Sequence, residues 1–154
     1  PAGGDLDRLP FTRAVWDETL RVYPPAWVLR RKAAAGATAG DVAIPEGATV
    51  LVNVFGLHRD PRSFDDPTAF RPERFLDGEP PPFAYLPFGA GARGCIGFHF
   101  ATMEAVVLLA GIASRWRLQA PASAAPPGAP EFARSITLRP KRPLRMRLLT
   151  RRIG

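Results

Sequence analysis

The chain's only cysteine, Cys95, lies in the segment LPFGAGARGCIGFHF, between glycines and just before a long apolar stretch. A cysteine before a helix favours the thiolate over the thiol, because free amide groups and the positive end of the helix dipole stabilise negative charge. The sequence places no second cysteine or histidine at the spacing of a structural zinc site. The lone thiolate suits a metal that brings its other ligands with it, as haem iron does.

Glycines dominate the loop around this cysteine, at Gly89, Gly91, Gly94 and Gly97. Because they carry no side chain, a large flat ligand can approach the backbone there. Arg93, two residues before the cysteine, is placed to meet an anionic group at the edge of such a ligand. The loop therefore has the residue types of a site for a planar, anionic cofactor.

The same glycines also fit the G-x-G-x-x-G pattern of a dinucleotide-binding loop. That function calls for an acidic residue ~20 positions later, to bind the ribose. The sequence has no acid between Glu104 and Glu131, a proline interrupts the preceding strand, and alternating βαβ units are missing. These departures disfavour a dinucleotide site.

The charge of the chain is distributed unevenly. Residues 1–79 carry 10 Lys/Arg and 12 Asp/Glu, a net −2, whereas residues 80–154 carry 11 and 2, a net +9. A basic half indicates an acidic partner, such as nucleic acid, an anionic cofactor or an acidic protein. In the last segment, however, the arginines alternate with apolar residues, as on a half-buried strand with one solvated face.

Two helices are predicted from apolar periodicity, over 9–23 and 95–116. Pro10 suits the first turn of the earlier helix, and Pro24 with Pro25 ends it. The later helix is marked by apolar and small residues that recur at helical spacing, namely Ile96, Phe100, Met103, Val107, Ala110 and Ser114.

Two β-hairpins are also predicted, over 41–54 around an Ile-Pro-Glu-Gly turn and over 136–149, where apolar and basic residues alternate. Between the first hairpin and the glycine loop the chain reads as an ordered loop, because several phenylalanines anchor it. The segment 121–130, PASAAPPGAP, reads as a surface loop or linker.

Glu18 falls in the middle of the apolar stripe of the first helix, next to Phe11, Ala14, Val15 and Val22. Arg21 lies one turn further on. A carboxylate on a core face must be paired and hydrogen-bonded, because leaving it alone costs several kcal/mol. The position of Glu18 therefore argues for a buried pair rather than an ordinary surface pair.

The cysteine loop resembles the haem-binding signature of the cytochrome P-450 monooxygenases, F-x-x-G-x-R-x-C-x-G. Every fixed position of that signature is filled here, by Phe88, Gly91, Arg93, Cys95 and Gly97. Two further family motifs occur in the expected order, E-x-x-R at Glu18 and Arg21 and P-E-R-F at Pro72–Phe75. Three ordered motifs over most of the chain identify it as a member of this family.

The resemblance implies a haem b (iron protoporphyrin IX) with Cys95 as the axial ligand of the iron and the catalytic thiolate. It implies that Phe88, Gly89, Gly91 and Gly97 also contact the cofactor. Arg93 and Arg31, rather than Arg30, would bind the haem propionates. The family's buried charged triad would consist of Glu18, Arg21 and Arg74.

The resemblance also implies what surrounds the site. Ala26, Trp27 and Val28 occupy the segment where the family contacts substrate, so we expect them to line a pocket for a small hydrophobic organic molecule. His58 is expected to be a satisfied structural histidine without a ligand role. An electron donor, a ferredoxin or a flavin reductase, would dock on the basic surface.

The expected fold is mainly α with small antiparallel β-sheets, the cytochrome P-450 fold, and residues 1–154 would form its C-terminal α+β portion. The activity expected of the parent protein is insertion of one oxygen atom from O2 into the substrate. Nothing in the sequence matches the family's distal oxygen-activating helix, so we expect the chain alone to be inactive and to bind haem weakly.

Two alternatives remain open at this point, a non-catalytic haem-binding module and a basic nucleic-acid-binding domain. We favour no nucleic-acid partner, because the arginine pattern has the simpler explanation given above.

The apolar run at 105–113 is too short to span a bilayer, so no membrane segment is expected in this chain. One cysteine suits a reducing cytoplasm, and the Arg-, Ala- and Pro-rich composition suits a bacterial protein.

Overall fold

The structure, a computed structural model, describes residues 8–121, 131–133 and 135–151. These residues form helices joined by loops and four small two-stranded antiparallel sheets. The helices are α1 (Pro10–Val22), α2 (Val54–Leu57) and α3 (Phe98–Arg115). The expected class, mainly α with small antiparallel sheets, is confirmed.

Helix α1 is the centre of the described structure, and both α3 and a 3₁₀ turn at Pro72–Phe75 pack against it. Pro10 lies at its first position, where a missing N–H is harmless. The helix ends as predicted before Pro24 and Pro25. Its buried face contains ionisable as well as apolar side chains, since Asp17, Glu18 and Arg21 are buried together with Ala14, Leu20 and Val22.

The predicted hairpin over 41–54 is wrong, because the strands in that segment do not pair with each other. Instead, each half of that segment pairs with an earlier one. Gly47 turns the chain at a φ of 77°, and Pro45 has no N–H to donate to a ladder, so the two halves separate. The pairs are β1 (Leu29–Lys32) with β4 (Thr49–Val52) and β2 (Thr38–Ala39) with β3 (Val42–Ala43).

The predicted closing hairpin over 136–149 is also wrong. Pro140 and Pro143 interrupt that segment, and without their N–H groups it cannot form a continuous ladder with itself. Its two ends pair with segments that follow α3. The pairs are β5 (Trp116–Gln119) with β8 (Arg147–Thr150) and β6 (Phe132–Ala133) with β7 (Arg139–Pro140).

Helix α3 begins at Phe98, three residues later than predicted, because the glycine loop continues through Gly97. Its buried residues are Thr102 and Val106, one turn apart. The stripe that predicted the helix is not its buried face, since Phe100 and Met103 are exposed. By length and composition alone α3 is apolar enough to cross a membrane. The absence of a membrane segment therefore stays a prediction.

The buried core lies between α1, α2 and the loop that leads to Cys95. Its apolar members include Leu20, Val54, Phe64 and Ala84, and its polar members include His58. The predicted surface loop over 121–130 lies outside the described residues except for Pro121.

Candidate functional site

The loop before α3 is closed by a backbone bond across its base. The Cys95 N–H donates to the Phe88 carbonyl at 2.9 Å, and the Gly94 N–H donates to the Gly91 carbonyl at 2.9 Å. Gly89 and Gly91 have φ values of 72° and 66°, which side-chain-bearing residues rarely adopt. Glycines at these two positions allow the chain to fold back and present the cysteine.

The Cys95 side chain is exposed. Its Sγ lies 3.8 Å from the point where a Cβ on Gly97 would stand, so the missing side chain leaves one side of the sulfur open. Ile96, the next residue in the chain, is also exposed. An open thiol next to an exposed apolar residue suits a flat, largely apolar ligand.

A metal at this position would have to bring ligands of its own. Among the described residues, no group of three or more His, Cys, Asp or Glu side chains is arranged to hold a metal ion. A single protein thiolate is the donor set that haem iron requires, since the porphyrin supplies four nitrogens. The residues present therefore fit the cofactor that the sequence predicts.

Phe88 supports the loop from within. Its ring meets the Phe98 ring edge-on, with centroids 5.1 Å apart, which ties the first residue of the signature to the first residue of α3. Both rings, together with Cys95, border a cleft of about 640 Å³ that extends towards Arg13 and Asp17 on α1.

Strand β1 places one of the two candidate arginines on the side of the loop. Leu29 touches the loop, since its Cδ1 lies 3.8 Å from the point where a Cβ on Gly89 would stand. Alternate residues of a strand share a face, so Arg31 lies on the face of Leu29 and Arg30 on the other. Arg31 and Arg93 are both exposed.

Glu18, Arg21 and Arg74 lie together in the core behind the loop. Arg21 Nε donates to Glu18 Oε2 at 2.7 Å and Nη2 to Oε1 at 2.8 Å, and neither side chain is exposed to solvent. Arg74 Nε approaches the same carboxylate at 3.2 Å. The Arg71 N–H donates to Glu18 Oε1 at 2.7 Å. One carboxylate thus receives four donors.

Arg21 also holds the loop that follows α2. Its Nη1 donates to the carbonyls of His58 and Pro67, both at 2.8 Å, and its Nη2 donates to the Ala69 carbonyl at 2.9 Å. Burial opposes ionisation of Glu18, but the bonds from Arg21 and Arg71 and the charge of Arg74 outweigh it and lower the pKa of that carboxyl. Glu18 therefore stays ionised although it is buried.

The three candidate pocket residues follow α1 and are half-buried. The Trp27 indole donates to the Ser135 carbonyl at 2.9 Å, and the Trp27 carbonyl accepts from the Phe55 N–H at 3.0 Å. Trp27 thus joins α2 to the segment before β7. Ala26 and Val28 flank it.

A second polar cluster was missed by sequence reasoning. The Tyr85 hydroxyl donates towards Asp17, 3.0 Å from its carbonyl and 3.2 Å from its Oδ1, and Arg13 Nε donates to Asp17 Oδ2 at 2.7 Å. Burial raises the pKa of the Tyr85 hydroxyl, and the Asp17 carboxylate acts in the same direction. The i,i+4 spacing of Arg13 and Asp17 was visible in the sequence, but their link to Tyr85 was not.

A sequence model of the family described as Cytochrome P450 matches residues 1–146. The chain belongs to the cytochrome P450 family. The resemblance that the three motifs carry is thereby confirmed, and so is the expectation of the P450 fold.

Curated P450 relatives come from bacteria, plants, fungi and animals. A cyclooctat-9-en-7-ol 5-monooxygenase of Streptomyces melanosporofaciens is 43% identical over 122 residues, covering 77% of this chain and 27% of the relative. The cyclooctatin synthase of the same organism is 41% identical over 122 residues, with the same coverage. A 2-hydroxyisoflavanone synthase of Glycine max is 41% identical over 126 residues, covering 75% of this chain and 24% of the relative.

Solved P450 structures match almost the whole chain. A zebra fish cytochrome P450 with abiraterone superposes with a TM-score of 0.86 at 32% identity, covering 98% of this chain and 35% of that one. The cytochrome P450DA heme domain gives the same TM-score at 28% identity, with coverages of 99% and 34%. The chain thus spans about a quarter of the curated relatives it matches and about a third of these structures.

The P450 family implies a haem cofactor and an oxidoreductase of organic substrates. Some of the relatives are named as monooxygenases. A bacterial origin stays a prediction, because the relatives include plant and animal proteins.

Proposed function

We propose that this chain is the thiolate-bearing part of a cytochrome P450 monooxygenase, with Cys95 as the axial ligand of a haem b. The observation that carries the proposal is the exposed lone thiol on a glycine loop whose base is closed by the Cys95–Phe88 backbone bond. A haem held by Cys95 would supply the chemistry of O2 activation, which the thiolate would tune by donating electron density.

The residues of this chain bind and orient the cofactor. Gly89, Gly91 and Gly97 keep side chains away from its face, and Phe88 packs below the loop against Phe98. Arg31 and Arg93 carry fixed positive charge for the two propionates. Arg31 is favoured over Arg30 because it shares a strand face with Leu29, which touches the loop.

The charged triad acts at a distance from the cofactor. Glu18 joins α1 to Arg74 and to the Arg71 backbone. Arg21 donates to three carbonyls of the loop that follows α2. These contacts fix the segment that runs behind the cysteine loop. We assign the triad a structural role, with no proton transfer to substrate.

The substrate class is a small hydrophobic organic molecule, bordered by Ala26, Trp27 and Val28. The relative named as a cyclooctat-9-en-7-ol 5-monooxygenase supports a largely hydrocarbon substrate. Electrons would come from a ferredoxin or a flavin reductase attracted to the basic half of the chain, and nucleic acid is not a partner. We place the protein in the cytoplasm.

The 154-residue chain alone is proposed to be inactive. It spans about a quarter of its curated relatives, and the apolar side chains of α3 at Phe100, Leu108 and Ile112 are exposed. Monomeric proteins seldom expose such a face unless another segment covers it. The active form is a longer polypeptide that covers this face and completes the cofactor pocket.

The experiment is product analysis under ¹⁸O2 with a panel of small hydrophobic substrates, a ferredoxin and its reductase. The longer polypeptide that carries this chain should insert one ¹⁸O atom per product molecule, whereas its Cys95→Ser variant and the 154-residue chain alone should not. Unlabelled product, or equal labelling by Cys95→Ser, would overturn the proposal.

A further inference from the structure

His58 connects α1 to the cysteine loop through both nitrogens of its ring. The side chain is completely buried. Its Nδ1 lies 3.2 Å from the Arg21 carbonyl, and its Nε2 lies 2.8 Å from the Leu86 backbone nitrogen. The ring also packs against that of Tyr85, with centroids 5.2 Å apart.

These partners fix the protonation state of the ring. The Leu86 N–H is a donor, so Nε2 must accept and carries no proton, whereas the Arg21 carbonyl is an acceptor, so Nδ1 must carry one. His58 is therefore neutral. Burial lowers its pKa to about 4, and the charges of Arg21 and Arg59 act in the same direction.

The acceptor at Nε2 serves the chain that enters the cysteine loop. Leu86 lies two residues before Phe88, and its carbonyl accepts from the Gly89 N–H at 3.1 Å. The Phe88 carbonyl in turn accepts from the Cys95 N–H. Three consecutive hydrogen bonds thus lead from the buried imidazole to the backbone of the cysteine.

The other side of the ring is attached to the charged triad. The Arg21 carbonyl accepts from the His58 ring, and the Arg21 guanidinium donates to the His58 carbonyl at 2.8 Å. His58 is thus bound to Arg21 twice, once through its ring and once through its backbone carbonyl. Because Arg21 is locked to Glu18, these contacts hold the imidazole in place independently of its bond to the loop.

We propose that His58 is a positioning residue for the axial cysteine, and that it holds the Leu86–Phe88 backbone so that Cys95 stays directed at the iron. The inference rests on the proposed function of Cys95 and adds a specific atom to it. The required feature is the Nε2 acceptor, not the bulk or burial of the ring.

A histidine that only fills the core would make the same contacts without affecting the cysteine. Two conservative variants distinguish that role from the positioning role. In His58→Gln the side-chain oxygen reaches the position of Nε2 and can accept from the Leu86 N–H. In His58→Asn the amide reaches only the position of Nδ1 and can donate to the Arg21 carbonyl. Both variants are neutral and polar, so they differ in which hydrogen bond survives.

The first measurement uses the haem-loaded longer polypeptide, reduced under carbon monoxide. The wild type and His58→Gln should keep the red-shifted band of a thiolate-ligated iron. His58→Asn should lose most of it to the band of iron without thiolate. Equal spectra for the two variants, whether both intact or both altered, would contradict the role of Nε2.

The second measurement needs no cofactor, so its failure is distinguishable from failure of the proposed function. In the haem-free protein the amides of Leu86 and Cys95 should exchange with deuterium about tenfold faster in His58→Asn than in His58→Gln. Equal exchange overturns the inference. A wild type without the thiolate band overturns the proposed function itself.

A third measurement requires no substitution and covers the case in which a variant does not fold. The ¹⁵N spectrum of histidine-labelled wild type should show His58 with an unprotonated Nε2 and a protonated Nδ1. The opposite tautomer, or a charged ring at neutral pH, would exclude an acceptor for Leu86 and overturn the inference.

Discussion

Glu18 and Arg21 form a two-point ion pair, with N–O distances of 2.7 and 2.8 Å, in which neither side chain reaches solvent. The pair is three residues apart on α1, yet it also binds the backbone at Arg71 and the side chain of Arg74. A short helical motif therefore organises a loop that lies more than fifty residues further along the chain.

Removing the Glu18 carboxylate should strongly lower the free energy of unfolding. Glu18→Ala leaves the buried Arg21 guanidinium and the partly buried Arg74 guanidinium without their anion, and breaking a buried pair costs about 3–5 kcal/mol of unfolding free energy. Chemical denaturation of the longer polypeptide, followed by far-UV circular dichroism, measures this loss.

The matched control is Arg62→Ala, which breaks the exposed pair with Asp60. Its unfolding free energy should be unchanged within error, because solvent screens such pairs. If Glu18→Ala and Arg62→Ala had equal unfolding free energies, the charged triad would not stabilise the fold as described above.

The buried His58 makes stability depend on pH in a defined window. Its folded pKa is about 4, below the ordinary 6.5, so between these values the unfolded chain binds a proton that the folded chain does not. Stability should therefore fall as pH drops from about 6.5 to about 4, by about 1.4 kcal/mol per pH unit from this group.

The difference between wild type and His58→Gln isolates that contribution, because other titrating groups are common to both. The difference in unfolding free energy should grow with pH across the window and be constant above it. A difference independent of pH between 4 and 6.5 would contradict a buried neutral imidazole.

Tyr85 and Asp17 provide a second test of the core behind the loop. Tyr85→Phe removes a hydroxyl that donates to a buried carboxylate and should cost about 1–3 kcal/mol of unfolding free energy. Because the pKa of Tyr85 is raised, the phenolate absorbance that appears near pH 10 should be the same in both proteins while they remain folded. A smaller phenolate signal in the variant would show that Tyr85 ionises normally.

The sequence predicted the buried charged cluster better than the sheets. Glu18 and Arg21 have a fixed spacing within one helix, so local pattern brings them together, whereas the ligand role of Cys95 stays a prediction. The buried position of Glu18 followed from a carboxylate on an apolar stripe, and the structure places it with Arg21 and Arg74.

The partners of β4 and β8 could not be predicted, because β1 and β5 are distant from them in sequence. Each predicted hairpin joined neighbouring segments, whereas prolines at 45, 140 and 143 deprive those segments of ladder donors and send them to earlier strands. The His58–Leu86 bond was missed for the same reason. A histidine ring and a backbone N–H leave no pattern that relates positions 28 residues apart.

A substitution on the exposed face of α3 should affect the stability of the 154-residue chain and that of a longer polypeptide differently. Leu108 and Ile112, one turn apart, are exposed here. Leu108→Glu should leave the stability of the 154-residue chain nearly unchanged. In the longer polypeptide it should cost several kcal/mol, because it would place an unpaired charge under the segment that covers α3. Equal effects in both, by chemical denaturation, would mean that α3 is not covered.

The most direct test of Cys95 is the absorption spectrum of the reduced longer polypeptide under carbon monoxide. We expect the red-shifted band of a thiolate-ligated haem in the wild type and its loss in Cys95→Ser, with haem content measured in both. A wild type without that band, or a Cys95→Ser variant that retains it, would contradict the assignment of Cys95 as the axial ligand.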